Sequence, residues 1–225
     1  MDYRVTEKFY SCQGEGPTLG TPAFFIRLAG CSVGCEMCDS KYAWPVPEET
    51  VDEVALHKEL HQSPARLVVI TGGEPLQQDI VPLLQEINDD PLLYKIEVET
   101  SCVTPASQEL LDHISSGAVI RFNCSPKLPS AHAKQAALTL AGIKHFVSLD
   151  SIFKFVVDTA EDIELVEELV LSNNIDPETV YLMPKAVTQE ELLEKSIWLI
   201  EQCKDYGYIF TPRLHIWLWG ARRGV

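Results

Sequence analysis

Apolar residues follow two different periods along this chain. Six short apolar runs predict β-strands at residues 23–28, 67–71, 96–100, 119–124, 153–157 and 180–183. The longer segments between them carry apolar residues every three or four positions, as amphipathic helices do. Two such stripes are Ile80, Leu83, Leu84 and Ile87, and Ile163, Val166, Leu169 and Val170. Strands that alternate with helices predict an α/β fold with a parallel sheet, in a single domain of residues 1–225.

Two polar tetrapeptides indicate where helices begin. Residues 50–53 (Thr-Val-Asp-Glu) and 188–191 (Thr-Gln-Glu-Glu) have the spacing of a capping box. In that motif the Thr side chain accepts a hydrogen bond from a free backbone N–H of the first helical turn. We therefore expect Thr50 and Thr188 to cap helices.

The charge of the chain limits its partners. Acidic residues outnumber basic ones 33 to 18, which gives a formal net charge of −15. Phosphate backbones and anionic membranes repel such a chain, so we expect neither nucleic acid nor a membrane as a partner. No apolar leader is present at the first residues, and no stretch approaches the roughly 20 apolar residues that span a bilayer. We expect a cytoplasmic protein.

Cysteine usage points to a metal site. Seven cysteines stand at positions 12, 31, 35, 38, 102, 124 and 203, and three of them fall within eight residues. An odd number with this clustering argues against a disulfide framework. Cys124 and Cys203 lie in apolar surroundings and are expected in the core. Cys12 and Cys102 each adjoin another motif.

Polar motifs follow the carboxyl ends of four predicted strands. They are residues 31–40, 71–75, 99–101 and 125–127. The carboxyl ends of parallel strands share one rim of the sheet, and ligands bind at that rim. Four motifs on one rim predict one shared site.

The triplet Cys31, Cys35 and Cys38 has the clearest chemistry of these motifs. Thiolates are soft ligands that suit zinc or an iron–sulfur cluster, and the neighbouring Gly30 and Gly34 let the backbone wrap closely around either. A zinc ion completed by a histidine elsewhere fits the spacing. So does a four-iron cluster with one iron free of protein ligands.

A Cys-x3-Cys-x2-Cys loop after a first strand resembles the signature of the radical S-adenosylmethionine superfamily. The resemblance implies a 4Fe–4S cluster on the three cysteines, at which S-adenosylmethionine is cleaved to a 5'-deoxyadenosyl radical. It implies an incomplete βα barrel of the TIM type, with a doubly wound sheet as the alternative, and it pairs Glu74 with the methionine ammonium. The residues that it places at S-adenosylmethionine are Met37, Cys38, Asp39, Gly73, Glu74, Cys102, Ser125, Pro126, Lys127, Met183, Pro184 and Lys185.

A longer resemblance narrows the substrate. Residues 12–16, 25–28 and 38–44 are similar to the 7-carboxy-7-deazaguanine synthase family, and the similarity returns at 99–100 and 125–127. It implies that 6-carboxy-5,6,7,8-tetrahydropterin undergoes radical ring contraction with loss of ammonia, in the biosynthesis of 7-deazapurines such as queuosine. The residues that it places at the substrate are Cys12, Gln13, Gly14, Glu15, Arg27, Thr100 and Val225.

Arg27 and Ser40 carry the most specific of these expectations. Arg27 lies on a mostly apolar strand and needs an anionic partner, either the substrate carboxylate or one of the chain's own acidic side chains. Ser40 stands where that family places a hydroxyl ligand to Mg2+, an ion that prefers oxygen donors.

Some residues depart from the family pattern. Cys102 stands where glycine is common, and Met37 replaces a frequent aromatic residue. The tail lacks a Gln-x-His pattern found in some members, and His215 or the carboxylate of Val225 is its candidate for substrate contact.

Two other functions share the cysteine motif. A glycyl-radical activating enzyme uses the same cluster and cosubstrate on a partner protein, and a non-catalytic iron–sulfur or zinc protein is the third possibility. Residues 13–16 and Arg27 favour a small carboxylated substrate over a protein. The family further implies a homodimer and a flavodoxin or ferredoxin as electron donor.

Overall fold

The computed structural model describes residues 1–92, 94–220 and 222–224. The strands are β1 (Asp2–Tyr3), β2 (Val5–Cys12), β3 (Pro22–Leu28), β4 (Val51–Asp52), β5 (Leu67–Gly72), β6 (Lys95–Thr100), β7 (Ile120–Cys124), β8 (Ser151–Val157), β9 (Val180–Pro184) and β10 (Ile209–Phe210). The α-helices are α1 (Glu53–His61), α2 (Val81–Asn88), α3 (Gln108–Ser115), α4 (Ala136–Gly142), α5 (Ala160–Asn173), α6 (Gln189–Tyr206) and α7 (Leu214–Trp219).

One eight-stranded sheet organises the described residues, in the order β10-β9-β8-β7-β6-β5-β3-β2. All neighbouring strands are parallel except β2 and β3, which are antiparallel. Because the order runs in one direction, every crossover helix falls on the same face, and the sheet curls around the opposite face. This confirms the incomplete βα barrel and excludes the doubly wound sheet, whose strand order reverses.

The two faces of the sheet are packed differently. Side chains alternate along a strand, so Ile96 and Val98 of β6 join the large core under the helices, while Glu97 and Glu99 face the barrel interior. A small apolar layer fills the bottom of the interior, formed by Ala23, Phe25, Leu67 and Val69 with the ring of Phe9. Toward the carboxyl ends of the strands the interior becomes polar.

The barrel gap between β2 and β10 is crossed by the loop that follows β2. The backbone N–H of Gly16 donates to Thr211 Oγ1 at 2.8 Å, and the N–H of Leu214 donates to Gly14 O at 2.9 Å. The first and last segments of the sheet are therefore joined through side-chain and backbone bonds rather than through a strand ladder.

All six predicted strands are present, with small differences at their ends. The fourth begins at Ile120, because Val119 is 72% exposed and lies outside the ladder. Both predicted stripes face the core, and Cys124 and Cys203 are buried in it as expected. The prediction lacked β2 and β10, the two edges of the sheet.

One predicted helix cap is wrong. Residues 51–52 pair with β1 as an extended segment, and the cap of α1 is Asp52, whose carboxylate accepts from Ala55 N at 2.7 Å. An Asp two positions later replaces Thr50 because the extended pairing holds the chain out of the helix until that point. Thr188 does cap α6, accepting from Glu191 N at 3.2 Å. Among the described residues, no helix combines the length and apolarity needed to cross a membrane.

Candidate active site at the carboxyl rim of the barrel

The cysteine loop lies directly after β3 and against the end of β5. Glu74 N donates to Gly30 O at 2.8 Å, and Gly73 N donates to Leu28 O at 2.9 Å. A side chain on Gly73 would place its Cβ 2.9 Å from Cys31 Cβ and inside contact distance of Gly30 O. Glycine at position 73 is therefore required for the close approach of the two loops.

The three thiols of this loop are neighbours. Burial raises the pKa of Cys31 and Cys35, and the sulfur of Cys38 raises both further. Within the described part of the chain the three sulfurs do not all fall within 4.8 Å of one another. A single tetrahedral zinc would hold its sulfurs about 3.8 Å apart, since Zn–S bonds are about 2.3 Å long.

Glu74 lies at the centre of the rim and is almost completely buried. Its Oε1 accepts from Thr100 Oγ1 at 2.7 Å, and its Oε2 accepts from Ser101 N at 2.8 Å and from Ser101 Oγ. Leu76 N also donates to Oε1. Burial raises the pKa of Glu74 despite these bonds. A carboxylate so fully bonded ties the end of β5 to the end of β6, and an added ammonium group would have to displace one of these donors.

The next two predicted segments continue the rim. Ser125 N donates to Thr100 O at 2.7 Å, and Lys127 Nζ donates to Ser125 Oγ at 3.0 Å. Pro126 lies between them. After β9, Lys185 Nζ is bonded to Asp158 Oδ2 at 2.9 Å, which commits its charge to that carboxylate. Met183 and Pro184 end β9, with Met183 buried, so both segments lie at the carboxyl ends of their strands.

Cys102 has a backbone conformation that glycine favours. Its φ is +67°, in the left-handed region that glycine favours. The thiol is completely buried, and a hypothetical Cβ on Gly142 would overlap Cys102 O. The cysteine side chain therefore points into the protein. Met37, the other departure, is 51% exposed at the outside of the cysteine loop.

Below the rim, the barrel interior holds a network of polar side chains. Gln13 Nε2 donates to Glu99 Oε1 at 3.1 Å, and Thr71 Oγ1 donates to Glu99 Oε2 at 2.8 Å. Deeper in, Glu97 accepts from Asn123 Nδ2 at 2.9 Å, and burial raises the pKa of Glu97. The carbonyl oxygen of Asn123 is buried and has no hydrogen-bond partner among the described residues. Such an orphan acceptor is unfavourable unless a ligand or water satisfies it.

Two buried cations converge on Glu15. Lys154 Nζ pairs with Glu15 Oε2, and Arg213 Nε lies 3.4 Å from Glu15 Oε1. Burial alone would raise the pKa of Glu15, but the charges of Lys154 and Arg213 outweigh it and hold the pKa below its ordinary value. His215 Nε2 lies 3.9 Å from the same carboxylate, and burial lowers the pKa of this imidazole.

Arg213 also reaches the cysteine loop. Its Nη2 pairs with Asp39 Oδ2, and Nη1 donates to Ala186 O at 2.6 Å. Partial desolvation of the Asp39 carboxylate opposes its ionisation, but the charge of Arg213 outweighs this and lowers the pKa of Asp39. Ser40 Oγ donates to the other oxygen of Asp39 at 2.7 Å. The predicted Mg2+ ligand thus stands beside a carboxylate, and hydroxyl and carboxylate oxygens suit Mg2+.

Arg27 has an anionic partner within the protein. Its Nε donates to Glu7 Oε1 at 2.7 Å, and Nη1 makes a long bond of 3.4 Å to Gly72 O. Tyr42 OH donates to the same oxygen of Glu7 at 2.6 Å. The salt bridge that the sequence left open is therefore present, while Nη2 of Arg27 has no hydrogen bond among the described residues.

Three further predicted residues have simple positions. Cys12 ends β2 opposite Pro22, and Gly14 lies against His215, whose Nδ1 would be 2.5 Å from a Cβ at position 14. Val225 lies outside the described residues.

Sequence reasoning missed several residues of this interior. Lys154 and Glu97 interrupt apolar strands, and a charge at an inward strand position is the signal that could have found them. Arg213 was noted only as part of the tail. Nothing in its neighbourhood in sequence indicates that it contacts residues 15 and 39, because that contact depends on closure of the barrel gap.

Comparison with known proteins agrees with this geometry. Residues 25–137 match the radical SAM superfamily model. The 7-carboxy-7-deazaguanine synthase of Pyrobaculum aerophilum is 40% identical, with 98% of this chain and 96% of the relative aligned. The enzyme of the same name from Rhodopirellula baltica is 32% identical over 98% of this chain and 88% of its own length. The crystal structure of QueE from Escherichia coli superposes with a TM-score of 0.73 at 25% identity, covering 96% of this chain and 95% of that one.

A cysteine loop on the rim of an incomplete βα barrel, together with these matches, places the chain in the radical SAM superfamily, whose members use a 4Fe–4S cluster and S-adenosylmethionine. Within the superfamily, the similarity over nearly the whole length is to one group of enzymes. The chain belongs to the 7-carboxy-7-deazaguanine synthase family.

Proposed function

We propose that this chain is a radical SAM lyase that converts 6-carboxy-5,6,7,8-tetrahydropterin into 7-carboxy-7-deazaguanine with loss of ammonia, in 7-deazapurine biosynthesis. One observation carries the proposal: a polar barrel interior opens directly beneath the cysteine loop and contains an arginine whose outer nitrogen has no partner in the described structure. A small, polar, carboxylated ring fits such an interior, whereas a protein substrate would need a docking surface.

In this proposal the thiolates of Cys31, Cys35 and Cys38 hold the cluster. A 4Fe–4S cluster held there would supply the electron for reductive cleavage of S-adenosylmethionine. The chain's residues position that cosubstrate: Gly73 lets the backbone approach it, Glu74 holds Thr100 and Ser101 in place, and Lys127 stays oriented by Ser125. Met37, Cys38, Asp39, Cys102, Pro126, Met183, Pro184 and Lys185 border the same region.

The substrate binds in the interior below. The free edge of Arg27 takes the pterin carboxylate, because a guanidinium binds a carboxylate through parallel N–H bonds. Gln13 and Thr100 offer neutral donors and acceptors to the ring edge, with the Gly14 backbone and Cys12 beside them. Asn123 adds a contact that the family resemblance did not include. In the proposal a ring N–H donates to its side-chain amide oxygen, which is buried and has no hydrogen-bond partner among the described residues.

Glu15, Lys154 and Arg213 close the open side of the barrel interior, the chamber in which the substrate binds. Lys154 and Arg213 neutralise Glu15, so the carboxylate stays ionised and can accept from the guanidine-like edge of the ring. The same residues exclude water from the barrel gap. A dry interior strengthens the polar contacts that fix the reacting carbon toward the radical.

Mg2+ binds at Ser40 in this proposal. The support is the pair of oxygen donors, Ser40 Oγ and Asp39 Oδ1, which lie 2.7 Å apart at the edge of the chamber. An ion there would keep several waters or substrate oxygens in its shell.

A flavodoxin or ferredoxin is the proposed electron donor. Such proteins are acidic, and the chain as a whole carries a net charge of −15, so docking needs a local positive surface. Exposed lysines at positions 41 and 134 flank the cysteine loop and supply one. Lys134→Glu should slow cluster reduction by the protein donor while leaving reduction by dithionite unchanged.

A homodimer is the proposed assembly. Three apolar side chains on α6, Leu193, Ile197 and Ile200, are 59%, 65% and 39% exposed and lie on one side of the helix at i, i+4 and i+7. A second copy covering this stripe would remove it from water. Light scattering should give a dimer mass, and Ile197→Lys should reduce it to the monomer mass.

Product formation by the Arg27→Gln variant tests the proposed function. Anaerobic reactions with the carboxylated pterin, S-adenosylmethionine and reductant should form 7-carboxy-7-deazaguanine, measured by mass spectrometry. Arg27→Gln should lower product formation at least 100-fold, while uncoupled 5'-deoxyadenosine formation without substrate stays within about twofold. Arg66→Gln, at an exposed position, is the matched control.

The outcomes separate the three functions. Equal loss of product and uncoupled cleavage in Arg27→Gln would contradict a carboxylate-binding role. Deoxyadenosine without a pterin product, together with a glycyl radical on a partner protein, would favour the activating enzyme. Absence of deoxyadenosine from cluster-loaded protein would leave a binding protein.

A further inference from the structure

A second candidate metal site lies at the opposite end of the molecule. His57 and His61 stand four positions apart on α1, so their imidazoles project from the same helix face. Glu86 on α2 and Asp90 just after it repeat that spacing on the neighbouring helix. The two pairs meet where α1 packs on α2. This site lies near the amino ends of β5 and β6, away from the cysteine rim.

Three ligand-type atoms converge there on one point. His57 Nε2 lies 2.5 Å from Asp90 Oδ2, and His61 Nδ1 lies 3.1 Å from the same oxygen. Within residues 1–92, 94–220 and 222–224, this is the one group of three or more His, Cys, Asp or Glu whose ligand atoms all lie within 4.8 Å of one another. Tetrahedral zinc with N and O ligands at about 2.0–2.2 Å spaces them by about 3.3–3.5 Å, so small shifts would admit an ion.

A neutral His57 cannot satisfy both of its carboxylate neighbours through hydrogen bonds. Its Nδ1 lies 3.2 Å from Glu86 Oε1 while its Nε2 faces Asp90, so both ring nitrogens point at carboxylate oxygens. A neutral imidazole carries only one N–H, so one of these contacts would set a nitrogen lone pair against an oxygen. A cation on one nitrogen removes the conflict. A metal ion at Nε2, with Nδ1–H donating to Glu86, is one such arrangement.

The hydrogen bonds to His57 and Asp90 resemble those that orient the ligands of a metal site. Glu86 orients the imidazole of His57 through the nitrogen that does not face the shared point, as carboxylates do for zinc-bound histidines. Asp90 is 3% exposed, and its Oδ1 accepts from Leu92 N at 2.7 Å, which directs Oδ2 toward the histidines. The site is therefore preorganised on its protein side, while His61 is 56% exposed and leaves an entrance from solvent.

We propose that His57, His61 and Asp90 bind a divalent transition metal of the zinc type, with Glu86 orienting His57 and a water molecule completing the coordination. The ion bridges α1 and α2 at the base of the barrel, where it stabilises the fold. It is distinct from the cysteine site in ligand type and position, and it does not depend on the proposed reaction.

Zinc binding to the cluster-loaded protein tests the proposal. Calorimetric titration with Zn2+ and elemental analysis after desalting should give one zinc per chain with the iron content unchanged. Because an ion that binds only the folded state stabilises it, zinc at about 100 times its Kd should raise Tm by about 5–10 °C. His61→Gln, a substitution at a half-exposed side chain, should weaken zinc binding at least 10-fold.

Matched variants distinguish this site from surface histidines and from the cysteine loop. His145→Gln, an exposed histidine elsewhere, should bind zinc like the wild type. Glu86→Gln should weaken binding about 10-fold or more, as for other outer-shell changes. The triple variant Cys31→Ala, Cys35→Ala, Cys38→Ala should still bind one zinc per chain. Loss of zinc from that variant, or equal zinc affinity of His61→Gln and wild type, would overturn the proposal, as would failure of the wild type to bind zinc.

Discussion

Arg213 Nε lies 3.4 Å from Glu15 Oε1, and this contact joins the segment after the last strand of the sheet to the loop after β2. Lys154, from the middle of the sheet, pairs with the other oxygen of the same carboxylate. One carboxylate thus pairs with two buried cations at the open side of the barrel, and Asp39 supplies the second negative charge through Arg213. The side chains of Lys154, Arg213 and Glu15 are 7%, 9% and 15% exposed, so water screens their charges little.

Glu15→Gln should destabilise the fold strongly. The substitution keeps the size of the side chain but leaves Lys154 without an anion and Arg213 with Asp39 alone, and breaking a buried ion pair from one side costs about 3–5 kcal/mol. The free energy of unfolding from urea titration measures the effect. Glu49→Gln, at an exposed position, should stay within about 0.5 kcal/mol of the wild type. A value for Glu15→Gln as small as that of Glu49→Gln would show that the charges are not coupled.

Glu15 should also make the free energy of unfolding depend on pH in the acid range. Because the folded-state pKa of Glu15 is lowered, its contribution is complete above the ordinary glutamate pKa of about 4.3 and is lost as pH falls through the lowered value. The free energy of unfolding, measured from about pH 7 down to about pH 3, should fall more steeply for wild type than for Glu15→Gln. Parallel curves for the two proteins would rule out this linkage.

Gly73→Ala should disrupt the cysteine loop. An added Cβ would lie 2.9 Å from Cys31 Cβ and overlap the carbonyl of Gly30, so the loop has to move. We expect reconstituted protein to lose more than half of its iron, measured per chain. Gly20→Ala is the control, because its Cβ meets nothing within 4 Å although φ there is +79°. Full iron content in Gly73→Ala would mean that the approach of the two loops is not needed.

Substitutions at Cys102 test how much backbone strain the rim tolerates. At φ of +67°, Cys102→Gly removes backbone strain and a small buried side chain together, so the free energy of unfolding should change by about 1 kcal/mol or less. Cys102→Val adds a β-branched side chain in the same conformation and should cost more than about 2 kcal/mol. Urea titration of both variants measures the difference, and equal stability of the two would contradict the strain.

The strands and helices could be predicted where a local pattern determines them. The six inner strands are short apolar runs with helices between them, and their order in the sheet follows from the direction of each crossover. The edges could not be predicted in this way. β2 contains Lys8 and Ser11 among its apolar residues, and β10 has only two residues, so neither carries a strong strand pattern.

The candidate site also contains some residues that local motifs predict and others that they do not. The cysteine loop, Gly73 and Ser125 to Lys127 are contiguous motifs, and their positions after predicted strands located them on the rim. Arg27 shows the limit of single-residue reasoning: the sequence required an anion near it, but its pairing with Glu7 depends on the antiparallel register of β2 and β3. The contact of Glu15 with Arg213 depends on closure of the whole sheet.

The bond from Gly16 N to Thr211 Oγ1 spans 195 positions of the chain. On a ribosome that adds about 5–20 residues per second, the loop after β2 waits about 10–40 seconds for its partner to be synthesised. During that interval its polar groups are still hydrated and the barrel interior is open at this side. Ligand-binding competence in this barrel is therefore a late event of biosynthesis, reached well after its first strands have paired.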